Sequence, residues 1–121
     1  MLLQVENSGN VLIGGFTDGV IRVICVSVME YINKVPSPTG DYINLIQVLK
    51  PHTKCVTVIT MNPKQNLIVT GSNDCTIFLF QIIQKKEFVR LLPIGYVPVM
   101  GEVTHCAWKP RRDATILVFR F

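Results

Sequence analysis

"LIVTGSNDCTIFLF", residues 67–80, sets two apolar runs around a small polar core of Gly-Ser-Asn-Asp-Cys-Thr. Val, Ile, Thr and Phe favour pleated strands, and Gly, Asn and Asp favour the turn between them. The stretch therefore reads as a β-hairpin with Asp74 at its turn. In "TIFLFQII" (76–83) both alternating faces are apolar, Ile77 and Leu79 on one, Phe78, Phe80 and Ile82 on the other. A strand with two dry faces belongs between stacked sheets. "VIRVICVSV" (20–28), "CVTVITM" (55–61) and "NLIVTGS" (66–72) have the same bias and the same Gly, Pro, Asn and Asp borders. Helical patterns are nearly absent, so the chain is expected to be all-β.

The hairpin also has a second copy. "NVLIGGFTDGVIRVIC" (10–25) lies over "NLIVTGSNDCTIFLFQ" (66–81) at an offset of 56, pairing Gly15 with Gly71, Asp18 with Asp74 and Ile21 with Ile77. "PHTKCVTVITMNP" (51–63) lies over "PVMGEVTHCAWKP" (98–110) at an offset of 47, pairing Val56 with Val103 and Pro63 with Pro110. One repeating unit explains both overlays, the longer offset being absorbed by a polar insertion, "NKVPSPTGDYIN" (33–44). A period in the forties built from four short strands is that of a β-propeller blade.

"KPHTKCVTVITMNPKQNLIVTGSNDCTIFLFQ" (50–81) resembles one unit of the WD-repeat family. Pro51-His52 stands where the family has Gly-His, and Phe80-Gln81 where it has Trp-Asp. The resemblance implies a hydrogen-bonded set within the blade, carried here by His52, Ser72, Asp74 and, without the indole donor, Phe80. Asp18 repeats Asp74 at the first turn. On this reading Asp74 is a structural pin at a hairpin turn, since a catalytic carboxylate would want a second titratable group converging in an open cleft.

The expected architecture is a partial WD-repeat β-propeller: one complete blade flanked by two incomplete blades of antiparallel strands. Residues 1–50 would form an incomplete blade carrying the 33–44 insertion, 51–97 a full repeat, and 98–121 the start of the next. A closed propeller needs at least four such units, so the chain is expected to be a piece of a longer one and to expose apolar blade faces. Trp108 in "CAWKP" is expected in the core of an inner strand, and "VPSPTG" (35–40) as a connecting loop.

Composition narrows the function classes. At 49% hydrophobic and 17% charged, 121 residues can bury a core and do not resemble a disordered chain. No apolar stretch approaches the roughly 18 residues of a membrane span. Met1-Leu2-Leu3 runs at once into Gln4 and Glu6, which does not look like a secretory leader. A non-secreted, cytoplasmic location is expected. Cys25, Cys55, Cys75 and Cys106 are 20 to 31 residues apart without a C-x-x-C pair, so free thiols are expected. A metal site drawing on His52, His105 and these thiols is the weaker alternative. No cofactor and no small-molecule substrate is expected.

The net charge of +4 is a mild excess. Its dense groups are "KPRR" (109–112) and "QKKE" (84–87), both expected in loops, with Lys85, Lys86, Lys109, Arg111 and Arg112 as candidate partner-facing residues. A dedicated nucleic-acid binder would be more basic, although an RNA-associated propeller stays open as an alternative. The 50–81 unit is also similar to the large cilia- and flagella-associated WD-repeat proteins of the axoneme. That resemblance implies a non-enzymatic scaffold in the motile axoneme, tethering inner-arm dynein to the microtubule doublet, with dynein and tubulin components as partners.

Overall fold

A computed structural model describes residues 2–5, 9–26, 43–62, 66–85, 88–110 and 115–120, and all of their regular structure is strand. The order is β1 (Leu2–Val5), β2 (Gly9–Gly15), β3 (Ile21–Val26), β4 (Ile43–Leu49), β5 (Val56–Asn62), β6 (Leu67–Ser72), β7 (Thr76–Lys85), β8 (Phe88–Pro98), β9 (His105–Pro110) and β10 (Thr115–Arg120). These form three antiparallel sheets, β1-β2-β3-β4, β5-β6-β7-β8 and β9-β10. In each, strands consecutive in the chain are neighbours in the sheet. The first sheet has four strands, of which β1 spans four residues where β5 spans seven. Most of the 33–44 insertion lies outside the described residues, and its last two residues belong to β4.

Two apolar layers join the three sheets. Val11, Ile13, Ile21 and Val23 of the first sheet pack against Val56, Ile68, Phe80, Ile82, Val89 and Leu91 of the second. Val69 and Ile77, on the opposite face of the second sheet, pack against Val103 and Cys106, with Val58, Leu79 and Trp108 partly buried around them. β7 thus supplies Phe80 and Ile82 to one layer and Ile77 to the other, which is why its sequence has two dry faces.

The joints between sheets repeat as the sequence does. Gly15 faces Val56 and Gly71 faces Val103 so closely that a methyl on either glycine would come within 2.5 Å of the valine Cγ1. The Val56 amide N–H donates to the Phe16 carbonyl and that of Val103 to the Ser72 carbonyl, each at 3.0 Å. A further tie has no sequence repeat. The Gln47 side-chain amide donates from Nε2 to the Leu91 carbonyl at 2.9 Å and accepts from the Leu91 N–H at 2.8 Å, linking β4 to β8.

Gly71→Ala should therefore destabilise the chain by about 1–3 kcal/mol through overpacking against Val103. The measurement is urea or thermal unfolding, and adding Val103→Ala should recover part of the loss.

Candidate functional site

His52 sits in the segment joining β4 to β5 and is 1% exposed. An imidazole that dry must find a partner for each ring nitrogen. Nδ1 lies 3.1 Å from Asp74 Oδ2 and 3.0 Å from Thr76 Oγ1, while Nε2 lies 2.7 Å from Thr70 Oγ1. The carboxylate accepts, so Nδ1 carries the proton and Nε2 accepts from the Thr70 hydroxyl.

Asp74 lies in the β6–β7 turn, its side chain 8% exposed. It accepts from the Thr53 and Thr76 amides, each at 3.0 Å, and from the Thr76 hydroxyl. Burial alone would raise its pKa, but the Thr76 hydroxyl, the Thr53 amide and His52 outweigh it and hold the carboxyl below its ordinary value. Burial likewise holds His52 below the ordinary imidazole value, against the opposing pull of Asp74. The pair is thus a neutral imidazole donating to a carboxylate. Cys75, next to Asp74, takes the positive φ of 66° that closes the turn, where the first sheet has Gly19 at 85°.

The expected set is only partly gathered. Ser72 does not reach His52. Its hydroxyl donates to the Cys55 carbonyl at 2.7 Å and accepts the Asp74 N–H at 3.1 Å, so it shapes the turn itself. Thr70, two residues earlier on β6, takes the place beside the imidazole, and Thr76 joins it. Neither threonine was singled out from the sequence. Thr70 had a signal, a hydroxyl inside the apolar run of "LIVTGS" that burial obliges to find a partner. Phe80 contributes no hydrogen bond. It is core, and Phe78 stacks on it at 4.9 Å while meeting the His52 ring edge-on at 6.2 Å.

Asp18 sits at the matching turn of the first sheet but in water. It accepts the Val20 N–H at 3.1 Å and lies 3.5 Å from Arg22, whose guanidinium also covers the Phe16 ring. The Val20 N–H first, and Arg22 with it, hold its carboxyl below the ordinary value despite the opposing cost of desolvation. An exposed pair of this kind stabilises little.

The basic residues correct the loop expectation. Lys85 is the last residue of β7 and Lys109 lies within β9, both exposed. A strand end can hold lysine because its long side chain reaches water past the sheet. Lys86, Arg111 and Arg112 lie outside the described residues. Trp108 is half-buried in β9 against the second apolar layer, with its indole N–H buried and without a partner among the described residues.

Chemically, Asp74, His52 and Thr70 form a carboxylate–imidazole–hydroxyl chain, the order of a nucleophilic triad. Thr70 is 0% exposed, so a substrate has no path to its hydroxyl in this arrangement. A shallow cavity of about 400 Å³ is lined by Gly15, Val56, Thr57, Val58 and Ile59, none of them titratable. Among the described residues no three His, Cys, Asp or Glu side chains gather as a metal site. None of the four cysteines is in a disulfide, and burial raises the Cys106 pKa. No helix among the described residues is long and apolar enough to cross a membrane.

Comparison with known proteins places these features. Residues 43–81 match the family model of the WD domain, G-beta repeat. The chain is 31% identical, over 95% of its own length, to Cilia- and flagella-associated protein 44 of Mus musculus, of which it spans 6%. It is 30% identical, over 78% of its length, to Protein SPIRRIG of Arabidopsis thaliana, of which it spans 2%. The matched segment takes β4 from the first sheet and β5, β6 and the first half of β7 from the second, so the sequence unit is staggered by one strand against the sheet.

Asp74→Asn should cost about 1–3 kcal/mol, because an amide cannot accept all the donors that converge there; unfolding curves of the two proteins measure it. Acid should also destabilise the chain through His52. Its folded pKa lies below the ordinary 6.5, so the unfolded state binds more protons and stability is lost as pH falls from about 6.5. Asp74, also lowered, adds a second loss below its ordinary 3.8. Unfolding free energy measured from pH 7 to 5 should decline in the native protein and run flatter in His52→Gln.

Proposed function

Residues 43–81 make this a WD-repeat chain, and from that premise we propose that it acts as a non-enzymatic scaffold, holding other proteins on the surfaces of its sheets. The polar network buries His52 and Thr70 and serves to fix the turn between β6 and β7, which leaves the strands and rims for binding. The finer reading is a cytoskeletal role in the cilium or flagellum, as part of an axonemal assembly with dynein or tubulin components among its partners. The observation that carries it is the 31% identity to a cilia- and flagella-associated protein along nearly the whole chain. The exposed Lys85 and Lys109 are suited to an acidic partner surface such as that of tubulin.

The test is location and retention. A tagged form expressed in ciliated cells should concentrate along the axoneme and stay with it after detergent extraction. Charge reversal at Lys85 and Lys109 should lower the salt concentration needed to release it. A diffuse cytosolic signal, fully extracted by detergent, would reject the axonemal reading.

A further inference from the structure

The two four-stranded sheets end in outer strands, β4 and β8, whose free edges differ. In an antiparallel ladder alternate residues exchange both backbone bonds with the neighbouring strand, and the residues between them point both groups outward. On β8 the Gln47 tie shows that the Leu91 groups point outward, away from β7. Followed through the register and the bulge opposite Leu79 and Phe80, the same parity turns Val89, Pro93, Tyr96 and Pro98 outward. Two of those five positions are prolines without an N–H and a third is occupied by Gln47. The edge of β8 is thus closed to an added strand.

β4 is the reverse. The Phe16 N–H donates to the Val20 carbonyl, which sets the parity of β3 and, through the register of β3 with β4, directs Ile43, Leu45 and Val48 outward. These three are also the most exposed residues of the strand, at 67, 57 and 52%. "INLIQVL" (43–49) has no proline and no charge, and no described residue bonds to the outward groups of those three. An apolar edge of this kind is what soluble proteins ordinarily guard.

We propose that the free edge of β4 is a docking site for an extended segment of another protein, which adds to the first sheet as a fifth strand. The segment carries apolar residues at alternate positions. The exposed Lys50 directly after β4 favours an acidic residue at one end of it. Size points to a single strand as the occupant: Ile43, Leu45, Ile46 and Val48 expose an area on the order of 400 Å², about half of one partner's share of a standard interface. The proposal rests on the scaffold reading and names one of its binding surfaces.

The probe is a capped eight-residue peptide with valine at alternate positions and a terminal glutamate, added to the whole chain. Amide hydrogen exchange by NMR should slow at least tenfold at Ile43, Leu45 and Val48 and stay unchanged at Val89 and Tyr96. Leu45→Lys, which guards the edge without touching an inward bond, should weaken peptide binding at least tenfold, as should N-methylation of the peptide on its β4-facing amides. Binding without slowed exchange on β4, binding insensitive to both changes, no binding at all, or pairing of β4 with β4 of a second copy in place of the peptide would overturn the proposal. Partners captured from ciliated cells that still bind Leu45→Lys would leave the scaffold reading standing while removing this surface from it.

Discussion

The second sheet has apolar residues on both faces, and burial of those faces against the sheets on either side is the constraint from which the rest follows. Two sheets approach closely only where side chains leave room. Gly15 and Gly71 make that room for Val56 and Val103, and the backbone bonds from Phe16 to Val56 and from Ser72 to Val103 close over the same seats. Removing a large apolar group from water contributes roughly 1.5–3 kcal/mol, and the two layers hold more than a dozen such groups between them. The turns, ties and polar contacts act within a framework that this burial has already set.

The His52 network shows how a polar group survives inside such a framework. The segment from β4 to β5 passes under the β6–β7 turn, which puts an imidazole where water cannot follow. Both ring nitrogens are then answered by side chains from β6 and from the turn, and the carboxylate that answers one of them is itself answered by two amides and a hydroxyl. The exposed Asp18 makes the comparison within one molecule. With the same turn but with Arg22 in place of a buried histidine, it stays in water and, among the described residues, ties nothing beyond its own hairpin.

Much of the fold was legible because its signals are local or periodic. The two-faced β7, the turn at Asp74 and the two overlays are written in residue order, and the glycine–valine seats fall on aligned positions of both overlays. What was hidden depended on tertiary placement. The family resemblance named Ser72 for the set, whereas the hydroxyl that meets the imidazole belongs to Thr70, two residues back on the same strand, and Ser72 donates to the Cys55 carbonyl. The Gln47 tie has no counterpart among the described residues, and a lone glutamine in a strand gives no hint of a target 44 residues away. The lysines were misplaced because clustered charge was read as loop, when a strand end serves a long charged side chain equally well.

The stagger of the sequence unit against the sheets has a mechanical consequence. β4 closes one sheet and the residues after it open the next, so the joint between these two sheets is crossed by the covalent chain as well as by side-chain packing. Tension on the first sheet reaches the second through residues 50–55, where the His52 N–H is held by the Gly19 carbonyl on one side and the Thr53 N–H by Asp74 on the other. Parting the sheets means drawing that segment out of its bonds first. A joint made this way resists being peeled open.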